Sequence, residues 1–457
     1  MTFVIITTKR IGVCYMYRDI MNDLIKWKNR TRRKPLIISG VRQCGKTFII
    51  EEFGRTQFSN LLTINFEEKP GLKEVFDFDF DTKRIVSEIE KLTKAKIVPG
   101  QTLLFLDEIQ ECPKAITALK YFCEKMSNLH LVCAGSLLGV ALRSENISFP
   151  VGKVNRLDLY PMNFREFAIA SGEESLIEML KEWNVDRPIP DYLDVPMKKL
   201  LKDFYIVGGM PEAVSVWTAT HDYAEVEAVQ REILKDYADD FSKHAPINEL
   251  QKIRWIWDSI PVQIAKENNK FVFSHVREGK RAADLDDALS WLQNAGLIYR
   301  LELVEKPQLP LSAFADKTYF KVYMSDVGLM RVRANVSVDT ILNEGEKYVN
   351  YKGAVAENYV NNELVVQGKS PFFWRSNNTA EIDFMYEKDN EFYPVEVKSA
   401  DNTQAKSYKQ FCSKYNPKKG IKLSTKNIAR NPSSKTETYS IPLYMAWGID
   451  YYIDSRN

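Results

Sequence analysis

The stretch Gly40-Val41-Arg42-Gln43-Cys44-Gly45-Lys46-Thr47 has the spacing GxxxxGK[ST], in the context such a loop requires. An apolar run, Leu36-Ile37-Ile38-Ser39, stands directly before it, and an apolar helical pattern begins at Phe48. The glycines let the backbone wrap close to phosphate groups. The loop amides and the N-terminus of the following helix face the negative charge. Lys46 then reaches the β- and γ-phosphates, and the Thr47 hydroxyl joins a Mg²⁺ shell. The chemistry expected of residues 40–47 is binding of ATP with Mg²⁺.

A second constellation extends this reading from binding to hydrolysis. Leu103-Leu104-Phe105-Leu106 is a strand pattern that ends in Asp107-Glu108. Asp107 at a strand end can hold the Mg²⁺ shell, and Glu108 beside it can polarise an attacking water. Two carboxylates at a strand end also suit a merely solvated edge. Downstream, residues 130–134 read as another strand, followed by Gly135-Ser136. Ser136 fits contact with the γ-phosphate or orientation of water, and equally a helix N-cap before Leu137-Leu138.

A third constellation lies near the C-terminus. Glu381-Ile382-Asp383 and Glu396-Val397-Lys398 fall on two apparent strands joined by a hairpin turn within 387–391. Alternate side chains share a strand face, so Glu381 points with Asp383 and Glu396 with Lys398. Carboxylates on adjacent strands can bind Mg²⁺ while a lysine orients or activates water. Glu357, on an expected helix over 354–366, can add a ligand. From Asp401 to Arg430 there are eight basic residues (Lys406, Lys409, Lys414, Lys418, Lys419, Lys422, Lys426 and Arg430), with Asp401 as the only acid. Tyr408, Phe411 and Tyr415 are interleaved with them. Such a patch can track a phosphate backbone of DNA or RNA, or be a solvated lysine face.

Composition excludes little and points to ordinary globular chemistry. The 457 residues are 45% hydrophobic and 27% charged, with a net charge of +2, too weak for nucleic-acid binding by global charge. Six cysteines form no CxxC pair and no zinc-ligand spacing with histidine, so free thiols in a cytoplasmic protein are expected. Cys44 sits in the glycine loop, where its thiol is expected to be accessible. No apolar stretch approaches the ~18 residues of a membrane span. Met16-Tyr17-Arg18-Asp19-Ile20 reads as a natural beginning, which leaves the segment before it as an upstream extension.

Short apolar runs at 36–39, 61–66, 103–106, 129–134 and 154–159 alternate with helical patterns. This predicts an α/β fold with a parallel sheet covered on both faces. Residues 161–245 read as mostly helical, broken at Gly208-Gly209-Met210-Pro211. Leu285, Ala288, Leu289, Leu292 and Ala295 make one helical face. Gly296 ends that helix, and 297–303 reads as a strand. Helices followed by a strand pair have the order of a winged helix. Its expected second helix carries Asp284, Asp286 and Asp287, which argues against groove reading.

The Walker pair and further motifs resemble a prokaryotic family of AAA-superfamily ATPases that carry a C-terminal domain of unknown function with a nuclease-like fold. Those motifs are Cys133-Ala134-Gly135-Ser136-Leu137-Leu138-Gly139, Phe149-Pro150-Val151-Gly152-Lys153-Val154, Leu159-Tyr160-Pro161-Met162-Asn163-Phe164, Ile206-Val207-Gly208-Gly209-Met210-Pro211-Glu212-Ala213 and Tyr323-Met324-Ser325-Asp326-Val327-Gly328-Leu329. The resemblance implies an additional-strand P-loop ATPase domain over 17–160 after the extension 1–16. It further implies a helical lid over 161–245, a winged-helix-like domain over 246–335 and a nuclease-like domain over 336–457. The last resembles the PD-(D/E)xK superfamily, with Asp383, Glu396 and Lys398 matching its core and Glu357 its helical acid. The family often has Gly-Arg where this chain has Gly152-Lys153, and Arg143 and Arg156 are the other candidates for an arginine that senses the γ-phosphate. The expected protein is an Mg²⁺-dependent ATPase switch coupled to this domain. An ATP-regulated metal-dependent nuclease and a non-catalytic ATP-binding module acting through a protein partner are the alternatives.

Overall fold

The computed structural model describes residues 16–135, 148–264, 270–343, 349–376, 380–399, 406–432 and 435–454. Ser136, Arg143 and the proposed extension before Met16 lie outside them.

The first sheet forms from five short strands: β1 (Leu36–Ser39), β2 (Asn60–Asn65), β3 (Thr102–Asp107), β4 (His130–Ala134) and β5 (Asn155–Asp158). Their order is β2-β3-β4-β1-β5 and every pairing is parallel. β3 and β4 are buried along their whole length because helices cover both faces, which is why they read as unbroken apolar runs. Alternation still sorts the side chains: Leu103 and Phe105 join one core, Leu104 and Leu106 the other. β4 is inserted between β1 and β3. Its Cys133 stands level with both Ile37 and Leu106, so the loop after β1 and the carboxylates after β3 emerge along the same edge.

Helices follow at Phe164–Ala170, Glu174–Lys181, Asp191–Val207, Pro211–Thr220 and Tyr223–His244. The break at Gly208-Gly209 is demanded by close packing. A Cβ on Gly209 would stand 2.0 Å from the Met162 carbonyl oxygen, and the Met162 N–H donates to the Gly209 carbonyl at 2.7 Å. The buried Asp326 carboxylate accepts from the Gly209 N–H at 2.6 Å and the Leu329 N–H at 2.8 Å. The two glycine-bearing motifs of the sequence are thus one tertiary junction.

Helices Ile247–Ile264 and Ala282–Asn294 lead into β6 (Ile298–Val304) and β7 (Ala315–Met324), an antiparallel pair. This pair does not stand alone. β6 runs parallel to β8 (Phe372–Ser376), so one mixed sheet continues through β9 (Ala380–Lys388), β10 (Glu391–Lys398), β11 (Lys419–Ser424), β13 (Glu437–Pro442) and β12 (Ala429–Asn431). Asp389 and Asn390 both have positive φ, 52° and 59°, as a two-residue hairpin turn between β9 and β10 requires.

Helix Val349–Val366 crosses between the two halves. Asn358 both accepts from the Met324 N–H at 2.8 Å and donates to its carbonyl at 2.9 Å. Glu363 is buried and accepts from the Phe164 N–H at 2.8 Å, while its other oxygen has no hydrogen-bond partner. Burial pushes the Glu363 pKa up to about 8. The Phe164 N–H opposes the shift, and the charges of Glu166 and Asp19 add to it.

A group more basic when folded than when unfolded loses its contribution to stability as pH rises through the window between the two values. From pH 6 to 8 Glu363 should therefore lower the unfolding free energy by up to about 1.4 kcal/mol per pH unit. Asp326, with its pKa pushed up to about 6 by burial, is half ionised at pH 6 and largely ionised above pH 7. Melting curves across this range should fall for the wild type and fall less steeply for Glu363→Gln. Equal slopes would contradict a protonated Glu363.

Candidate functional site

The loop after β1 is held by its own backbone and by distant elements. Gly40 is required because a Cβ there would lie 2.2 Å from the Leu159 carbonyl oxygen, and Gly45 has φ +91° at the entry to helix Lys46–Gln57. Lys46 Nζ donates to the carbonyls of Gly40 at 2.9 Å and Val41 at 2.8 Å, so the lysine is folded into the cradle its loop makes. Thr47 Oγ1 donates to Asp107 Oδ2 at 2.9 Å, across 60 residues of sequence. Burial pushes the Asp107 carboxyl up. The Thr47 hydrogen bond opposes this, and neighbouring Glu108 adds to it. A buried carboxylate beside a hydroxyl and a second carboxylate fits Mg²⁺, and Thr47 and Asp107 are the pair that would hold it. Glu108 adopts φ +47° and accepts from Gln110 Nε2 at 2.6 Å.

Two expectations about this region are corrected. The Cys44 thiol is not accessible. It is fully buried, 3.5 Å from the Leu159 carbonyl, because the chain after β5 covers the loop. Lys153 does not reach the phosphate edge. It precedes β5, whose Asn155 pairs with Leu36 at the start of β1, so it lies at the opposite end of the sheet and pairs with Glu124 at 2.8 Å.

Sequence reasoning missed the partners that hold the loop. Arg18 is 5% exposed and spreads its guanidinium over three acceptors: Glu166 at 3.1 Å, the Cys44 carbonyl at 2.9 Å and the Tyr160 carbonyl at 2.6 Å. From helix Tyr223–His244, Asp240 takes Arg42 at 2.7 Å, Asp236 takes Gln43 at 2.6 Å, and the Tyr237 hydroxyl donates to the Arg42 carbonyl at 3.1 Å. No short-range spacing links these residues to the loop.

The C-terminal residues assemble on the second sheet. Asp383 is buried on β9 and accepts from the Val397 N–H of β10 at 2.7 Å. Lys398 Nζ stands 2.8 Å from Glu396 Oε1, and Glu396 Oε2 is buried without a hydrogen-bond partner. Two unanticipated residues of β7 complete the cluster. Lys321 Nζ is 2.5 Å from Glu381 and 3.6 Å from Glu357, and the Tyr323 hydroxyl donates to Glu357 at 2.9 Å. Burial drives the Asp383 carboxyl well above the usual carboxylate range. The charges of Glu396 and Glu357 add to this, while Lys398 and Lys321 oppose it. Burial opposes the Lys321 charge, but Glu357, Glu381 and Asp383 outweigh it and raise its ammonium pKa. Among the described residues no three Asp, Glu, His or Cys side chains converge as a metal-holding group. The expected ligand set Glu357, Asp383 and Glu396 is therefore gathered but not closed, and lysine ammoniums supply the neutralising charge.

The aromatics interleaved with the basic residues also turn out differently. Tyr408 and Phe411 of helix Lys406–Tyr415 are buried, Phe411 against Trp374, and so present no stacking platform to a nucleic acid.

Residues 32–168 match the sequence profile of an AAA domain. Residues 198–340 and 352–444 match two domains of unknown function, DUF8612 and DUF4143. No curated protein matches the chain. Solved structures that match include a Walker-type ATPase of Pyrococcus abyssi, with 14% identity, 70% of this chain and 95% of that chain covered, and a TM-score of 0.43. The Aeropyrum pernix ORC1 protein in complex with DNA matches at 15% identity, with 73% and 92% covered and a TM-score of 0.30. AMPPCP-bound DnaA from Aquifex aeolicus matches at 12% identity, with 60% and 86% covered and a TM-score of 0.27. At these TM-scores the likenesses carry no argument about function. The domain match, joined to the loop geometry, supports an AAA-type P-loop ATPase domain that binds ATP.

Removing one partner from a buried charge cluster leaves the others uncompensated, typically at about 3–5 kcal/mol. Lys321→Met should lower the urea midpoint by that equivalent. Lys398→Met should cost less, since Lys398 is 36% exposed against 3% for Lys321. Urea unfolding of both variants measures this, and an unchanged midpoint for Lys321→Met would rule out the ammonium as the cluster's counter-charge.

Proposed function

We propose that the protein is a Mg²⁺-dependent ATPase in which the nucleotide state of the P-loop is relayed to the C-terminal sheet. The observation that carries this reading is the contact between the P-loop and helix Tyr223–His244. Arg42 and Gln43, both residues of the P-loop, are engaged by Asp240 and Asp236. A triphosphate brought to the loop competes with those carboxylates for Arg42 and repels them. Nucleotide binding and a shift of this helix are therefore coupled. Lys46 holds the β- and γ-phosphates, Thr47 and Asp107 the Mg²⁺, and Glu108 polarises water. Ser136 is retained as the proposed contact of the γ-phosphate.

The elements around this core support the rest of the assignment. Within the proposed lid of 161–245, helix Tyr223–His244 contacts the P-loop through Asp236, Tyr237 and Asp240. Helices Ile247–Ile264 and Ala282–Asn294 with the β6–β7 hairpin have the order of a winged helix. Asp383, Glu396 and Lys398, with Glu357 from the neighbouring helix, are what favours a nuclease-like C-terminal domain over an unrelated fold. A second reading, ATP-regulated metal-dependent cleavage of DNA or RNA, is favoured by the unpartnered Glu396 Oε2, an acceptor suited to a cation.

Phosphate release is the decisive measurement, with and without added DNA or RNA. Wild type should hydrolyse ATP, Lys46→Ala should lose binding and turnover, and Glu108→Gln should bind ATP but turn over about 10²-fold or more slowly. Asp240→Asn should tighten ATP binding several-fold, because one competitor for Arg42 is removed. Wild type that neither binds nor hydrolyses ATP with millimolar Mg²⁺ would overturn the assignment. Cleavage of DNA or RNA lost in Asp383→Ala would select the second reading.

A further inference from the structure

A cavity of about 500 Å³ opens between helix Lys406–Tyr415 and strands β11, β12 and β13. That is the size of a small-ligand site. Its described walls carry four cations, Lys409, Lys422, Arg430 and Lys435, and no carboxylate. Its floor is built by register. On parallel strands Lys422 pairs with Ser440 and Gly420 with Thr438, so lysine, hydroxyl and hydroxyl share one face. The Tyr408 hydroxyl lies 3.1 Å from Thr438 Oγ1, and Lys422 Nζ stands over the Tyr408 ring at 4.8 Å.

The charge in this cavity is unbalanced. Arg430 already has Glu437 at 3.0 Å and Asp186 at 3.6 Å. Lys422 is half-buried, and across the strand pair it faces Glu396, which Lys398 holds. Among the described residues no carboxylate lines the cavity with these cations, and an anion with several acceptor oxygens would meet them together with the hydroxyls of the floor. Three lysines around a polar floor suit a phosphate monoester better than a carboxylate, since each ammonium can meet a separate oxygen.

We propose that this cavity is a binding site for the phosphate of a nucleotide-sized ligand, either a free nucleoside monophosphate or the phosphorylated end of a strand. It lies beside the carboxylate cluster, because Lys422 and Glu396 are register partners on β11 and β10. The proposal extends the C-terminal half of the function above and does not require hydrolysis at the P-loop.

The test uses the full chain carrying Lys46→Ala, with ATP binding to the wild type measured separately. Calorimetric titrations compare AMP, adenosine, and short oligothymidylates with a 5′-phosphate or a 5′-hydroxyl. AMP lacks the β- and γ-phosphates that Lys46 reaches, so it reports on the second site. AMP or the 5′-phosphorylated strand should bind at least about tenfold more tightly than its unphosphorylated counterpart. Lys409→Glu and Lys435→Glu, both at exposed positions, should weaken that binding about tenfold each without shifting the melting temperature. Lys422→Met should abolish it. Binding of AMP alone identifies a free nucleotide, and binding of the phosphorylated strand alone identifies a strand end. Absence of binding by both phosphate probes, equal affinity with and without phosphate, or indifference to the charge reversals would overturn the proposal. Failure of the P-loop reading would appear instead as absent ATP binding in the wild type with AMP binding intact.

Discussion

The Arg18 guanidinium is the interaction on which the arrangement of the N-terminal half rests. A planar fork offers donors in fixed directions, and here they meet the P-loop carbonyl of Cys44, the Tyr160 carbonyl beyond β5 and the Glu166 carboxylate. Glu166 itself accepts from the N–H groups of Asp19 and Asn163. One buried ion pair therefore fixes the loop, the chain leaving the sheet and the first helix of the region that follows. A lysine ends in one compact ammonium and cannot spread donors over three acceptors in the fixed directions of the guanidinium fork. Burial of such a pair is favourable only because hydrogen bonds surround it on every side.

From that junction the contacts continue into the second sheet. Phe164, next to the Asn163 N-cap that Glu166 completes, donates to Glu363 on helix Val349–Val366. The same helix carries Asn358, which clamps Met324 at the end of β7, and Glu357, which joins Lys321 and Tyr323. A single helix thus touches the surroundings of the nucleotide loop at one turn and the carboxylate cluster two turns earlier. The relay proposed above begins at helix Tyr223–His244, and helix Val349–Val366 offers it a path onward to the second sheet, since a rigid helix cannot shift at one end without moving the other.

The legibility of the sequence followed the range of the interactions. The P-loop was readable because strand, glycine turn, lysine and helix are consecutive, and the geometry of phosphate binding needs little else. The hairpin carrying Asp383 and Glu396 was readable for the same reason: two alternating strands and a two-residue turn settle which side chains face together. Cys44 was misjudged because exposure depends on what covers the loop, and Leu159 is 115 residues away. Tyr408 and Phe411 looked like stacking platforms because an interleaved pattern does not say which helix face meets the sheet.

By itself, then, the sequence determined the local chemistry: a phosphate-cradling loop, a strand-end pair Asp107-Glu108 and a second set of carboxylates near Lys398. Tertiary structure decided which of these groups stand together and with what charge. Thr47 meets Asp107 because β4 lies between β1 and β3 and aligns their ends. Lys321 enters the carboxylate cluster because β6 pairs with β8 and merges two strand systems into one sheet. Lys422 faces a cavity without carboxylates because parallel register sets it beside Ser440. Each of these outcomes depends on pairing between segments far apart in the chain, where the cost of closing the loop is repaid by burial that no local pattern records.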